Sequence, residues 1–276
     1  LAELATGGDV SNPNDHRWRA VPWKFYPVMP NSNDRQAVEE FSRNQSLSFG
    51  EWKFEATCLD FRPDLVVDIR DWFMSEYQER SPFRKYFHWS IMPTVDSAPQ
   101  HEQWMATFAN ADSVFTYSDW GLEVLKRQGG NSVKTVCSAS PGADLNVFKP
   151  IQDRRAHRKA LGIDPDAFVI GTVMRNQRRK LYPDLFQAFA QYLREAPPEL
   201  ANKTYLYAHL AYPDACGWDI PLLIKEEGIG HRVLFTYNCL ECHASYPSFF
   251  QDARAICKRC GSSLARMPNS GNGVSR

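Results

Sequence analysis

Short apolar runs alternate with amphipathic stretches along the whole chain, and this spacing predicts strands and helices in turn. In the first half the runs at 23–29, 65–69, 86–92, 112–117 and 133–137 predict strands, and 65–69 has the unbroken apolar character of a strand buried in a parallel sheet. Between them lie helices. Asn33-Asp34 caps one running to about Phe41, others cover 72–79 and 100–110, and Ser118 caps one carried by Trp120, Leu122, Val124 and Leu125 to Gly129-Gly130. In the second half a basic helix at 154–161 ends at Gly162, and 168–174 is the clearest buried strand of the chain. A helix then sets Leu185, Phe186, Phe189, Ala190 and Leu193 on one face, followed by strand 204–209, helix 218–226 and strand 232–237. Strands that alternate with helices of about 10 to 15 residues define an α/β fold of parallel sheets, here two Rossmann-like windings.

Both ends read as cut. Leu1-Ala2-Glu3-Leu4-Ala5 has a helical pattern closed by Gly7-Gly8, after which Asp9-Val10 begins a strand, so a first strand and a helix start are expected to be missing. The stretch 267–276 reads as a loop. The two windings meet at 140–150, where Pro141-Gly142 forces a turn, Asp144 and Asn146 can bond their own backbone, and Pro150 ends the segment. That stretch serves either as an interlobe hinge or as a surface connection within one α/β domain. As a hinge it divides the chain into an N-terminal lobe, 1–150, and an incomplete C-terminal lobe, 151–276.

Charge narrows the partners. Lysine plus arginine number 32 and aspartate plus glutamate 32, so no global field draws nucleic acid or an anionic membrane, and phosphate binding has to be local. No window approaches the roughly 20 apolar residues of a membrane-spanning helix, and the expectation is a cytoplasmic protein. Seven cysteines, an odd number with four in two close pairs, argue against a secreted disulfide framework.

Those four carry the strongest motif. Cys239-Leu240-Glu241-Cys242 and Cys257-Lys258-Arg259-Cys260 are two C-x-x-C knuckles separated by 14 residues, the arrangement by which four thiolates surround one zinc ion. The expectation is a structural zinc ribbon at 237–263, with Gly261 relieving the bend after the second knuckle. A second candidate is the loop Arg175-Asn176-Gln177-Arg178-Arg179-Lys180, where four cations stand between a strand's carboxyl end and a helix's amino terminus, a place that favours an anion. Asp96 and Ser97 fall beyond the carboxyl end of a strand, where a substrate hydroxyl could be met, although Asp96 can equally cap the helix that starts near Pro99. His209 ends a strand on the side of the expected cleft.

The segment Pro141-Gly142-Ala143-Asp144-Leu145-Asn146-Val147-Phe148-Lys149-Pro150 resembles the "PGVD..VF.P" segment joining the lobes of GT-B glycosyltransferases of the group 1 (family 4) type. Residues 168–190 are similar to that family's first donor-lobe strand, its "GR...KG" loop and the helix after it, and the strands at 64–67 and 112–118 fit its acceptor lobe. The resemblance implies a retaining sugar transfer from a nucleotide-sugar donor, bound by the second lobe, to a glycan, lipid or protein acceptor held by the first. It implies that Arg175 and Lys180 hold the donor diphosphate, with no catalytic metal, and that Gly142 and Asp96 belong to the substrate cleft. Three departures stand out: Asp96 occupies a position where the family commonly has His, Leu181 follows Lys180 in place of Gly, and no glutamate follows Glu241, so the family's paired glutamates are not found. As a fragment the chain is expected to be a poor catalyst. The competing readings are a noncatalytic zinc-stabilised binder of a nucleotide or glycan, and a zinc-ribbon nucleic-acid module that uses Arg254, Lys258, Arg259 and Arg266.

Overall fold

A computed structural model describes residues 1–5 and 22–268. The sequence-based readings at Gly7-Gly8, Asp9-Val10 and 269–276 lie outside the described residues. The chain divides into two compact units, Leu1–Asp144 and Leu145–Arg276.

The first unit opens with a parallel pair, β1 (Ala2–Ala5) and β2 (Lys24–Pro27). The helix expected over the first five residues is therefore a strand; a stretch that short holds little more than one helical turn, and pairing with β2 decides its conformation. Helix α1 (Arg35–Arg43) starts where expected, with Asp34 accepting from the Ala37 amide, a cap worth about 1 kcal/mol. A π-helical turn, Leu47–Glu51, then leads into α2 (Trp52–Phe61). There follow β3 (Leu65–Asp68), a 3₁₀ turn at Trp72–Met74, α3 (Glu76–Arg80), β4 (His88–Ile91), α4 (Glu102–Asn110), β5 (Ser113–Thr116), α5 (Asp119–Gly129) and β6 (Thr135–Ser138). The four strands form one parallel sheet in the order β3-β4-β5-β6. Its core gathers Phe54, Trp89, Ile91, Phe108, Val114, Leu125 and Val133. Ser118 caps α5 as the sequence predicts, accepting from the Gly121 amide.

The second unit contains α6 (Arg154–Ala160), β7 (Phe168–Val173), α7 (Tyr182–Glu195), α8 (Pro198–Ala201), β8 (Thr204–His209), α9 (Ile220–Glu226), β9 (Val233–Cys239), β10 (Ser245–Phe249), β11 (Arg254–Ala255) and β12 (Ala265–Arg266). Strands β7, β8 and β9 run parallel, while β10 and β12 both pair antiparallel with β9. Strand β8 alternates buried Thr204, Leu206 and Ala208 with half-buried Tyr205, Tyr207 and His209. Leu206 and Ala208 pack with Phe186 and Phe189 of α7, Ile220 and Ile224 of α9, and Val233 and Phe235 of β9, each large apolar side chain contributing about 1.5–3 kcal/mol.

Two strands expected to be buried are not. Leu65 and Val67 of β3 and Phe168 and Val173 of β7 are more than half exposed. Both strands end the order of their sheet, and an apolar run cannot reveal whether a strand lies inside a sheet or at its margin. No helix among the described residues is long and apolar enough to cross a membrane.

Candidate functional site

The cation loop begins where β7 ends. Met174 N donates to the His209 carbonyl at 3.1 Å, so the chain leaves β7 beside the carboxyl end of β8, and Arg175 comes next. Arg178–Lys180 form a 3₁₀ turn, and Leu181 turns left-handed, with φ 48° and ψ 48°, to start α7. The helix has no side-chain cap, leaving the amides of its first turn unsatisfied from within, save that Pro183 has none. Beneath the loop, the hydroxyl of wholly buried Tyr182 donates to the Met174 carbonyl at 2.9 Å and fixes its base; burial pushes that phenol up to about 12. Leu181 thus adopts a backbone that glycine takes without cost.

Of the four cations, Arg175 pairs through Nε with Asp214 Oδ2 at 3.0 Å, and Arg178 lies over the Trp218 ring, 4.3 Å from its centroid. Arg179 and Lys180 have no ion-pair partner among the described residues. The hydrogen bond from Arg175, then that from the Cys216 amide, hold the Asp214 carboxyl below the usual carboxylate range. His209 Nδ1 stands 2.8 Å from the buried Thr236 hydroxyl, which is also 2.6 Å from Tyr207 Oη; burial lowers the His209 pKa and favours the neutral ring.

Asp96, Ser97 and Gly142 belong to the first unit. Asp96 is exposed and does not cap α4, whose cap position is His101. The Ser97 carbonyl and hydroxyl both accept from Gln100 Nε2, at 2.6 and 3.2 Å. Gly142 is exposed, with open space where a Cβ would stand.

The four cysteines converge. The sulfurs of Cys239, Cys242, Cys257 and Cys260 lie within 4.8 Å of one another, with Cys239–Cys260 at 3.6 Å and Cys242–Cys257 at 3.7 Å. A tetrahedral ion with metal–sulfur bonds of about 2.3 Å requires sulfurs about 3.8 Å apart, so the set fits a metal centre. Backbone amides point at the sulfurs, Cys242 N to Cys239 at 3.5 Å and Arg259 N to Cys257 at 3.3 Å, and the Cys260 and Arg259 amides help pull the Cys257 thiol down to about 6. Each knuckle is followed by a left-handed residue, His243 at φ 55° and Gly261 at φ 75°. His243, adjoining the first knuckle in sequence, thus has a backbone task.

Two features had no local signal in the sequence. One is the tie of Arg175 to Asp214, 39 residues apart. The other is a buried polar cluster in the first unit, where Asp68 accepts from Arg70 Nε and Nη2 and from Gln78 Nε2, at 2.5, 2.6 and 2.5 Å. Arg70 also donates to the Phe49 carbonyl and to Tyr77 Oη, and Gln78 Oε1 accepts from the Trp89 indole at 2.5 Å. Burial works against the Arg70 charge, but the hydrogen bonds and negative charge of Asp68, together with Tyr77, outweigh it and raise the Arg70 pKa above the ordinary value.

No protein-family model matches the chain. Among curated proteins, the D-inositol 3-phosphate glycosyltransferase of Stackebrandtia nassauensis is 34% identical over 131 residues, 46% of this chain and 29% of that protein. D-inositol 3-phosphate glycosyltransferase 2 of Catenulispora acidiphila is 34% identical over 87 residues, 32% of this chain and 20% of that protein. The chain thus covers less than a third of the length of these relatives, which are glycosyltransferases, the class named by the motif resemblance. Similar solved structures include α,α-trehalose 6-phosphate synthase of Burkholderia multivorans, with a TM-score of 0.49 and 15% identity over 73% of this chain and 51% of that one. Anabaena HepE, in complex with UDP-glucose, has a TM-score of 0.49 and 18% identity over 80% of this chain and 56% of that one.

Proposed function

We propose that this chain is part of a GT-B-type glycosyltransferase, with its second unit receiving a nucleotide-sugar donor and its first an acceptor that is a glycan, lipid or protein. The observation that carries this reading is the cation loop at the carboxyl end of β7, which leads straight into an uncapped helix terminus. In open α/β sheets ligands bind beyond the carboxyl ends of the strands, and a diphosphate there would meet fixed cations and backbone amides together. The curated relatives add that the homologous proteins transfer sugars.

In this reading Arg175 and Lys180 hold the donor diphosphate. As the bond from the anomeric carbon to the diphosphate oxygen breaks, their positive charge stabilises the negative charge that gathers on the leaving group, the work a divalent ion does in other transferases. His209, on the neighbouring strand end, faces the donor as a neutral hydrogen-bonding ring, while Asp96 and Ser97 serve the acceptor side and Gly142 is a further substrate-binding residue. Zinc is the ion for Cys239, Cys242, Cys257 and Cys260: four thiolates leave no open coordination position, so its role is to hold the ribbon and not to react.

Calorimetric titration with UDP, GDP and ADP tests this. One of them is expected to bind, and Arg175→Ala to weaken that binding at least tenfold. A wild-type chain that ignores all three, yet binds DNA with a steep loss of affinity as salt rises, would instead establish the ribbon as a nucleic-acid module.

A further inference from the structure

The cation loop is itself gripped by a second loop, residues 211–218, that leaves the end of β8. Asp214 is fixed on its own turn before it reaches Arg175: its Oδ1 accepts from the Cys216 amide at 3.1 Å, and its carbonyl accepts from the Gly217 amide at 3.0 Å. Its side chain is only 9% exposed, against 58% for Arg175. One residue beyond Arg175, the wholly buried Asn176 exchanges two bonds with the main chain of Trp218, Nδ2 to the carbonyl at 3.0 Å and the Trp218 amide to Oδ1 at 2.9 Å. A Cβ on Gly217 would stand 2.5 Å from Asn176 Nδ2 and 2.8 Å from its carbonyl oxygen, so the loops close this far only because residue 217 has no side chain. The Trp218 indole completes the grip by donating to the Arg178 carbonyl at 3.2 Å.

Asp214 engages Arg175 through Nε alone, and the two Nη groups make no hydrogen bond among the described residues. A planar guanidinium pinned at Nε keeps its end-on pair of N–H donors in one orientation, the geometry that chelates two oxygens of a phosphate. A carboxylate beside a bound anion also repels it. Here that charge is largely sequestered and already matched by Arg175, and Arg179 and Lys180 leave the loop net positive.

Resting on the reading that this loop takes a nucleoside diphosphate, we infer that Asp214 is a positioning residue that holds Arg175 in its phosphate-chelating orientation, with the Asn176–Trp218 bonds and Gly217 as its support. Freeing a long side chain that must be immobilised again on binding costs roughly a factor of 5 to 10 in affinity.

The test is a double-mutant cycle read by calorimetric titration of the tightest-binding of UDP, GDP and ADP. Asp214→Ala is expected to weaken binding about 5- to 10-fold in the wild-type background and to add nothing in Arg175→Ala. Asp214→Asn keeps a single acceptor oxygen, which can serve Arg175 Nε only at the expense of the Cys216 amide, and should lose less affinity than Asp214→Ala. Wild-type affinity in Asp214→Ala overturns the inference, as does an equal loss with and without Arg175. If Asp214→Ala fails to fold, Asp214→Asn decides alone, and a loss there as large as that of Arg175→Ala overturns it. A wild-type chain that binds none of the three removes the diphosphate reading itself, whereas binding that depends on Arg175 but not on Asp214 removes only this inference.

Discussion

Two arginines occupy equivalent places in the two units, each the second residue beyond a parallel strand and each joined to one carboxylate, and they have opposite surroundings. Arg70 lies just past β3, is 21% exposed, and spends its donors on Asp68, the Phe49 carbonyl and Tyr77. Arg175 lies just past β7, is 58% exposed, and spends one donor on Asp214. A charge at the carboxyl end of a strand is therefore not by itself a binding group. On the proposed reading of Arg175 as a phosphate ligand, what separates cement from receptor is how many donors the protein has already used, and how dry their surroundings are.

The largest effect that would test this contrast lies at the cysteine cluster of the second unit, whose four sulfurs are proposed to hold a structural zinc. Cys257→Ser is expected to take the zinc content well below one ion per chain by atomic emission and to lower the melting temperature, with a cost of several kcal/mol set by the binding energy of a structural zinc site. Next comes Arg70→Ala. It leaves Asp68, whose side chain is 6% exposed, without its counter-ion, and denaturant unfolding should record a loss of about 3–5 kcal/mol. If that variant proved as stable as the wild type, the division between the arginines would be wrong on the first-unit side. Leu181→Gly should act in the opposite direction: it relieves a left-handed leucine that is itself 55% exposed, and thermal unfolding is expected to show a gain of about 1 kcal/mol. Arg175→Ala should change stability least, by less than about 1 kcal/mol, because Arg175 is 58% exposed and Asp214, though only 9% exposed, keeps the Cys216 amide as a partner. A larger loss there would make Arg175 a structural residue like Arg70.

The sequence revealed most where the signal was local. Asp34 and Ser118 cap their helices as their side chains predict, the apolar stripe of α7 faces the core, and the cysteine spacing locates four sulfurs that meet. Where partners are distant it revealed less. Nothing near Arg175 announces Asp214, and nothing near Asp68 announces Trp89, joined to it through Gln78. The short stretch Ala2–Ala5 fits a helix and a strand equally well until β2 is known, and the apolar runs of β3 and β7 do not disclose their positions at sheet margins. Of the candidate site, the cations and cysteines were legible as residue types, while their pairings and the grip of the 211–218 loop required the fold.

Because Cys239 is the last residue of β9, and Ala265 of β12 lies opposite it in the antiparallel register, the cysteine ribbon has no seam along which it could be cut away. Removing 240–264 would strip β10 from one side of β9 and part β12 from the other, so the ribbon is a piece of the sheet and not a detachable cassette grafted onto it.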